Sequence, residues 1–363
     1  MLSRREFLTQ AAATSIVAAT PVQAMKINTT TQTTSPRCMS GIIQTVQGPL
    51  DASSLGFTLP HEHICASSTG FWKLWPEFFG GRENFINKVV DKLKEAKAEG
   101  VDTIVDVTTA DVGRDIRLIE EVSQKSGVQI IACTGHWLYP SLSMNARTAE
   151  ELADFFILEI ERGIEGTGIK PGVIKVATDR EGVTPFLEKA LRAAARASKA
   201  TGIPVIAHTY AADHIGEKQA DIFEDEGLNP GMVCLSHSDD IDNMSYLKGL
   251  AKRGYIIGMD HMTWGIGGQT GEGTETLSWQ QRAESIKQLV DAGFCSQIFL
   301  SNDWYFGTSM ANAEFMNTKE ETNPDGILFN TRKTIPYLRE IGITDQEVRV
   351  ITVENPKRFF GGI

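Results

Sequence analysis

The chain has 363 residues, of which 41% are hydrophobic and 22% are charged, a composition typical of globular proteins rather than disordered or fibrous ones. Its formal net charge of −11 argues against nucleic acid as a partner, because phosphate backbones bind clustered lysines and arginines. The charge says little else about partners, and we expect a small-molecule substrate from the residues at the strand ends rather than from the charge.

The first 24 residues have the features of an export signal. Residues 3–8, SRREFL, match the twin-arginine pattern, a mildly apolar run covers 11–19, and residues 22–24, VQA, resemble a cleavage site. The alternative is a chance arginine pair before an alanine-rich helix. We predict a periplasmic protein exported by the twin-arginine route, with membrane association left open. The mature chain should have no integral membrane segment, since a span needs about 20 apolar residues.

Residues 25–40 are polar and rich in threonine, which predicts a flexible leader before a single domain at 41–363. In that domain, short apolar segments alternate with longer amphipathic ones. The predicted strands are 57–59, 103–107, 129–134, 173–176, 204–207, 232–235, 255–259 and 297–300. Predicted helices include 84–99, 148–162, 184–201 and 278–292, and several of the helical segments end at a glycine just before the next strand.

Eight strands with helices between them predict an α/β fold, a (β/α)8 TIM barrel with its site at the C-terminal ends of the strands. A doubly wound open sheet is the alternative. The sequence contains no GxGxxG or GxxxxGK[ST] phosphate loop to support that alternative.

Histidines and a carboxylate stand at the ends of several predicted strands. His61 and His63 are two residues apart, so on a strand both imidazoles face the same side. His208, His237 and Asp303 follow three other strands, where catalytic groups of such barrels sit. This pattern predicts a metal site, against the alternative of unrelated core histidines with backbone partners.

Lys175 lies in the middle of the fourth predicted strand, among apolar residues. A buried lone ammonium is costly and tends to lose its proton. One interpretation is a lysine paired with a buried carboxylate. The other is a neutral amine that reacts with CO2 to give a carbamate, whose two oxygens can bridge two cations.

Five segments together resemble the amidohydrolase superfamily and, within it, the bacterial phosphotriesterases, also called organophosphate hydrolases or aryldialkylphosphatases. They are HEH at 61–63, IKV at 174–176, AHT at 207–209, SHSDD at 236–240 and SNDW at 301–304. The resemblance runs from about residue 45 to residue 359. It includes stretches without a metal role, WPEFFG at 75–80 and ENP at 354–356.

This resemblance implies a homodimeric phosphotriesterase with two divalent metal ions, zinc by default and cobalt or manganese as alternatives. It implies that His61, His63 and Asp303 hold one ion and that His208 and His237 hold the other. A carbamate on Lys175 and a hydroxide would bridge the ions, and the hydroxide would attack phosphorus. His261 and Asp240 resemble a relay that takes the proton from Asp303, although an N-cap role is the alternative for Asp240.

The substrate pocket expected from the resemblance departs from the family pattern. Its expected residues are Ala66, Val112, Trp137, Leu138, Trp264, Tyr305, Thr308, Met310 and Ala311. Leu138, Thr308 and Ala311 stand where the family has aromatic side chains, Tyr305 replaces a leucine and Trp264 a histidine. A lactonase or carboxylic (aryl) esterase with incidental phosphotriesterase activity is therefore the alternative function, and a non-catalytic binder is a third.

Overall fold

The computed structural model describes residues 41–264, 277–310 and 320–362. The predicted export signal and leader, and the pocket residue Ala311, lie outside the described residues.

Eight strands form one parallel sheet in the order in which they occur in the chain. A short antiparallel hairpin of β1 (Ile42–Thr45) and β2 (Gly48–Asp51) precedes them. The eight strands are β3 (Phe57–Glu62), β4 (Val101–Asp106), β5 (Gln129–Gly135), β6 (Val173–Ala177), β7 (Val205–His208), β8 (Val233–Ser236), β9 (Ile256–Met259) and β10 (Ile298–Leu300). Each overlaps one predicted strand.

The sheet closes on itself between β3 and the segment that follows β10. The backbone N–H of Asp303 donates to the carbonyl of His61 at 3.1 Å, and that of His63 donates to the carbonyl of Trp304 at 2.9 Å. These bonds bring the two ends of the sheet together. The predicted (β/α)8 barrel is confirmed, and the doubly wound alternative is wrong.

Helices lie between the strands and after the last one, and the longer helices each bury one face, whereas the short helix at Leu142–Asn145 buries no residue. The α-helices are α1 (Phe71–Leu74), α2 (Arg82–Ala98), α3 (Ile116–Ser126), α4 (Leu142–Asn145), α5 (Ala149–Arg162), α6 (Pro185–Thr201), α7 (Ile215–Asp225), α8 (Met244–Lys252), α9 (Trp279–Asp291), α10 (Ile335–Glu340), α11 (Asp345–Arg349) and α12 (Asn355–Gly361). Within the described ranges, no helix is long and apolar enough to cross a membrane.

Helix α6 shows how the sequence sets these boundaries. The Thr184 hydroxyl caps its start by accepting from the backbone N–H of Leu187, and Pro185 occupies the first turn. Gly202 ends it with a φ of 79°, a conformation that glycine adopts without steric cost. The strand that precedes this helix, β6, is buried along its whole length, as expected for a parallel sheet covered on both faces.

Candidate metal centre

The carboxyl ends of the barrel strands bring all six predicted ligands into one cleft. They are His61 and His63 from β3 and the loop after it, Lys175 from β6, His208 from β7, His237 after β8 and Asp303 after β10. The cleft has an empty volume of about 350 Å³, including space open to solvent. Parallel strands that end at the same rim explain how residues so distant in sequence converge.

Asp303 lies closest to the two histidines of β3. Its Oδ1 is 3.3 Å from Nε2 of His63 and 3.6 Å from Nε2 of His61. Asp303 has a φ of 49°, a left-handed conformation that is uncommon for a residue other than glycine. Two imidazole nitrogens and one carboxylate oxygen therefore converge, which is a donor set suited to a divalent cation.

The far nitrogens of these histidines are held by other side chains. Nδ1 of His61 lies 2.9 Å from Oδ2 of Asp260, and Nδ1 of His63 lies 2.8 Å from the Thr108 hydroxyl. Oδ1 of Asp260 also accepts the backbone N–H of His237 at 2.6 Å. Such partners fix the orientation of each ring with Nε2 towards the cleft.

The protonation states of the buried bases also fit a cation. Burial, together with nearby Lys175, lowers the pKa of His61 to about 3. Burial and the neighbouring His237 likewise hold the pKa of His208 well below its ordinary value. The ring centroids of His208 and His237 are 4.3 Å apart. These imidazoles are therefore neutral near pH 7, as metal coordination requires.

Lys175 lies in the middle of this cluster, with Nζ 3.0 Å from Nε2 of His61. Its side chain is 2% exposed, and burial lowers the pKa of its amine to about 8. The negative charges of Asp303 and Asp260 act in the opposite direction and favour the ammonium, but burial outweighs them, so this amine loses its proton more readily than an ordinary lysine.

The predicted relay residues form a chain that leads away from the cleft. Oδ2 of Asp303 is 3.2 Å from Nε2 of His261, whose Nδ1 is 2.8 Å from Oδ1 of Asp240. Burial alone would lower the pKa of His261, but Asp240 and Asp303 outweigh it and raise this pKa to about 10. Arg282 continues the chain, donating from Nη1 to Oδ1 of Asp240 at 2.7 Å.

Glu62 supports Asp303 from the opposite side of β3. Its carboxylate accepts the backbone N–H groups of Asn302 at 3.0 Å and Trp304 at 2.8 Å, the residues on either side of Asp303. The Ser301 hydroxyl donates to the same carboxylate at 2.7 Å. These bonds hold the segment in which Asp303 adopts its left-handed conformation.

Sequence reasoning missed four of these supporting residues: Asp260, Arg282, Glu62 and Thr108. Asp260 could have been found, since it directly precedes His261 at the end of a predicted strand. The indication for Glu62 was weaker and consists only of its place between the two ligand candidates His61 and His63. Nothing in the sequence pairs Thr108 with His63 or Arg282 with Asp240.

The predicted pocket residues fall into several groups. Those that line the cleft are Ala66, Val112, Trp137, Tyr305 and Met310. Trp264 lies against His261, with ring centroids 5.0 Å apart, and Thr308 is buried where its backbone pairs with Ala66. Leu138 belongs to the apolar core and does not line the cleft.

An eight-stranded parallel barrel with neutral imidazoles and an ionised carboxylate at its carboxyl rim is the arrangement of metal-dependent hydrolases. The model of the Phosphotriesterase family matches residues 41–360, and the chain belongs to this family of metal-dependent hydrolases, as its motifs predicted.

The relatives of this chain differ in the substrates that their names give. The chain is 34% identical to the aryldialkylphosphatase of Saccharolobus solfataricus, over 86% of this chain and 96% of the relative. It is 33% identical to a phosphotriesterase homology protein of Mycobacterium tuberculosis, over 88% and 97%. It is 27% identical to the N-acetyltaurine hydrolase of Salmo salar, over 88% and 98%. The family therefore establishes a hydrolase, while the substrate needs a separate argument.

Proposed function

We propose that the chain is a phosphotriesterase of the aryldialkylphosphatase type, which hydrolyses neutral organophosphate triesters. The observation that carries this proposal is the charge of the cleft. Besides the proposed ligands, the described residues that line it are Ala66, Val107, Val112, Trp137, Tyr305 and Met310. Among the described residues, the only cationic side chain in the lining is Lys175.

A cleft of this kind favours substrates without charge. A phosphate monoester, a diester or a sulfonate carries a negative charge that only the proposed metal ions could pair with, because the described part of the lining offers no arginine or free lysine around the apolar walls. A triester has no such charge, and its substituents can contact the apolar walls. The 34% identical relative named aryldialkylphosphatase supports the same class of substrate.

The proposed cofactors are two divalent ions, zinc by the chemistry of the ligands and cobalt or manganese as alternatives. His61, His63 and Asp303 would hold one ion, His208 and His237 the other, and a carbamate on Lys175 would contact both. When bound, the ions would polarise the phosphoryl oxygen and lower the pKa of the attacking water.

The proton released in the attack would follow the chain of side chains already described. Asp303 would accept it first, and Nε2 of His261 lies 3.2 Å from Oδ2 of Asp303 to receive it. Asp240 holds the Nδ1–H of His261 and so directs Nε2 towards Asp303. Two cations bound nearby would lower the raised pKa of His261 and leave its Nε2 free to receive the proton. The carboxylate of Asp240 stabilises the imidazolium that forms, since opposite charges in contact favour the ionised state.

A lactone or carboxylic ester is the second candidate substrate. The small aliphatic side chains of Ala66, Val107 and Val112 form a wall that suits an aliphatic ring or chain as well as an aryl group. The relative named N-acetyltaurine hydrolase indicates that the family also cleaves carboxylic acyl bonds. N-acetyltaurine carries a sulfonate, however, which the apolar lining here disfavours.

The chain is also proposed to form a homodimer and to act in the periplasm. Exposed aromatic side chains support the dimer, because Trp75 is 54% exposed and Phe78 is 52% exposed, with Phe71 packed between them. Apolar patches of this kind often mark interfaces. The twin-arginine motif with Arg4 and Arg5 supports export.

The decisive experiment is a kinetic panel on metal-replete protein. Diethyl nitrophenyl phosphate, the matching diester, nitrophenyl acetate and an aliphatic lactone would be compared by kcat/KM. We expect the triester to be the best substrate and the diester to be almost inert. A lactone or ester that exceeds the triester would favour the second candidate, and rapid diester hydrolysis would contradict the argument from charge. Asp303→Asn serves as the inactive control.

A further inference from the structure

We propose that Tyr305 is a positioning residue, which orients Asp303 and His63 at the same time through its hydroxyl and its ring. This inference rests on the proposed metal-dependent function, since both of these residues are proposed ligands of the same ion. Tyr305 would then orient two proposed ligands in addition to lining the pocket.

The ring of Tyr305 lies flat against the imidazole of His63. Their centroids are 4.5 Å apart and their planes differ by 5°. The Thr108 hydroxyl meets Nδ1 of the same imidazole at 2.8 Å. The stacked ring of Tyr305 restricts tilting of the imidazole of His63, and the Thr108 hydroxyl fixes its Nδ1 edge. Together they direct Nε2 of His63 towards Asp303.

The hydroxyl of Tyr305 donates to Oδ2 of Asp303 at 3.3 Å. Nε2 of His261 approaches this same oxygen at 3.2 Å, whereas Oδ1 of Asp303 faces His61 and His63. The carboxylate therefore has two distinct sides. The contact with Tyr305 opposes rotation of the carboxylate, which would otherwise exchange the oxygen that faces the ligands with the one that faces the relay.

The backbone places Tyr305 where it can do this. Tyr305 pairs with His63 in the parallel bridge that closes the barrel, and the N–H of Phe306 donates to the carbonyl of His63 at 3.1 Å. Asp303, two residues earlier, has a φ of 49°. Closure of the barrel therefore fixes the phenol ring, the imidazole and the carboxylate relative to one another.

Two substitutions separate the two contacts. Tyr305→Phe keeps the ring on His63 and removes the hydroxyl, while Tyr305→Leu removes both contacts. Tyr255→Phe is the matched control, because the buried Tyr255 hydroxyl donates to the carbonyl of Ala220 at 2.9 Å and lies outside the lining of the cleft. The measurements are the rate of zinc release to a chelator, and kcat and KM on the best substrate of the panel.

We expect Tyr305→Phe to release one equivalent of zinc about fivefold faster and to lower kcat by a similar factor at unchanged KM, because one hydrogen bond contributes about 1 kcal/mol. Tyr305→Leu should release zinc faster still. Tyr255→Phe should lower thermal stability while zinc release and kcat stay as in the wild type.

Two results would overturn the proposal. The first is a Tyr305→Phe variant with wild-type zinc release and kcat, because the hydroxyl would then orient nothing. The second is a Tyr305→Leu variant in which only KM changes, because Tyr305 would then be a pocket wall. Zinc release needs no substrate, so a wrong choice of substrate class would not be mistaken for failure of this inference.

Discussion

Arg282 and Asp240 form a buried ion pair at the end of the relay, with Nη1 of Arg282 2.7 Å from Oδ1 of Asp240. Arg282 is 0% exposed, and it also donates to the carbonyl of Asp239 at 2.6 Å. The guanidinium of Arg282, which is shielded from solvent, binds the carboxylate of Asp240, and this carboxylate binds Nδ1 of His261. The relay is therefore anchored in the protein interior rather than at the surface.

Replacing Arg282 should destabilise the fold strongly. Removing one partner of a buried pair leaves an uncompensated charge, so we expect Arg282→Met to lower the free energy of unfolding by about 3–5 kcal/mol. Urea denaturation of metal-free protein measures this loss. Arg117→Met is the matched control, since Arg117 forms a 2.7 Å pair with Glu120 at the surface, and it should cost less than about 1 kcal/mol. Equal losses in the two variants would contradict this account of the pair.

The barrel could be predicted because its strands are continuous apolar runs. In β6 all five residues from Val173 to Ala177 are buried, and such a run is visible without any tertiary contact. The hairpin of β1 and β2 was not predicted, since its strands have only four residues each and their sequences, IIQT and GPLD, do not alternate between apolar and polar residues. Short strands depend on what they pack against, which the sequence does not display.

The ligand candidates could be predicted from their place at strand ends, whereas their partners could not. Asp260 meets His61 across 199 positions of sequence, and the stacking of Tyr305 on His63 exists only after the barrel has closed. Leu138 shows the same limit for the pocket. Its neighbour Trp137 lines the cleft, but the turn after β5 directs Leu138 into the core.

The pKa of Lys175 predicts how the stability of metal-free protein depends on pH. Burial lowers this pKa from 10.5 to about 8, so the unfolded chain binds more protons between these two values. Stability should therefore rise as pH increases from 8 to 10.5, by about 3 kcal/mol at roughly 1.4 kcal/mol per pKa unit. Lys175→Met should lack this component. Urea titrations in bicarbonate-free buffer test the difference, and parallel pH profiles would show that Lys175 is not the cause.

The proposed carbamate predicts chemical rescue. Lys175→Ala should lose bound metal and hydrolytic activity, because it removes the group proposed to contact both ions. Short carboxylic acids such as propionate should restore part of both, since a small carboxylate can occupy the vacated space and offer two oxygens. Metal content by elemental analysis and initial rates are the measurements. Full activity of Lys175→Ala without added acid would make Lys175 a structural residue.

The export proposal predicts a loss of periplasmic protein when the arginine pair is changed. Arg4→Lys combined with Arg5→Lys keeps the positive charge but removes both guanidinium groups, so precursor should accumulate in the cytoplasm. Immunoblots of periplasmic and cytoplasmic fractions measure the distribution. Changing Lys26 to arginine is the control and should leave export unchanged. A double variant that reaches the periplasm normally would argue against this route.

Trp137 and Leu138 should respond differently although they are neighbours. Trp137 lines the cleft, so Trp137→Leu should lower kcat/KM for an aryl triester by about threefold to tenfold, because an aromatic contact contributes roughly 0.5–1.5 kcal/mol. The effect on an aliphatic lactone should be smaller.

Leu138 is 7% exposed and belongs to the same core cluster as Leu152. Leu138→Phe should therefore overfill the core and cost about 1–3 kcal/mol of stability, without improving aryl substrates. Kinetics on both substrates and urea denaturation of both variants decide the matter. A Leu138→Phe variant that is as stable as the wild type and faster only on aryl triesters would place Leu138 in the leaving-group pocket.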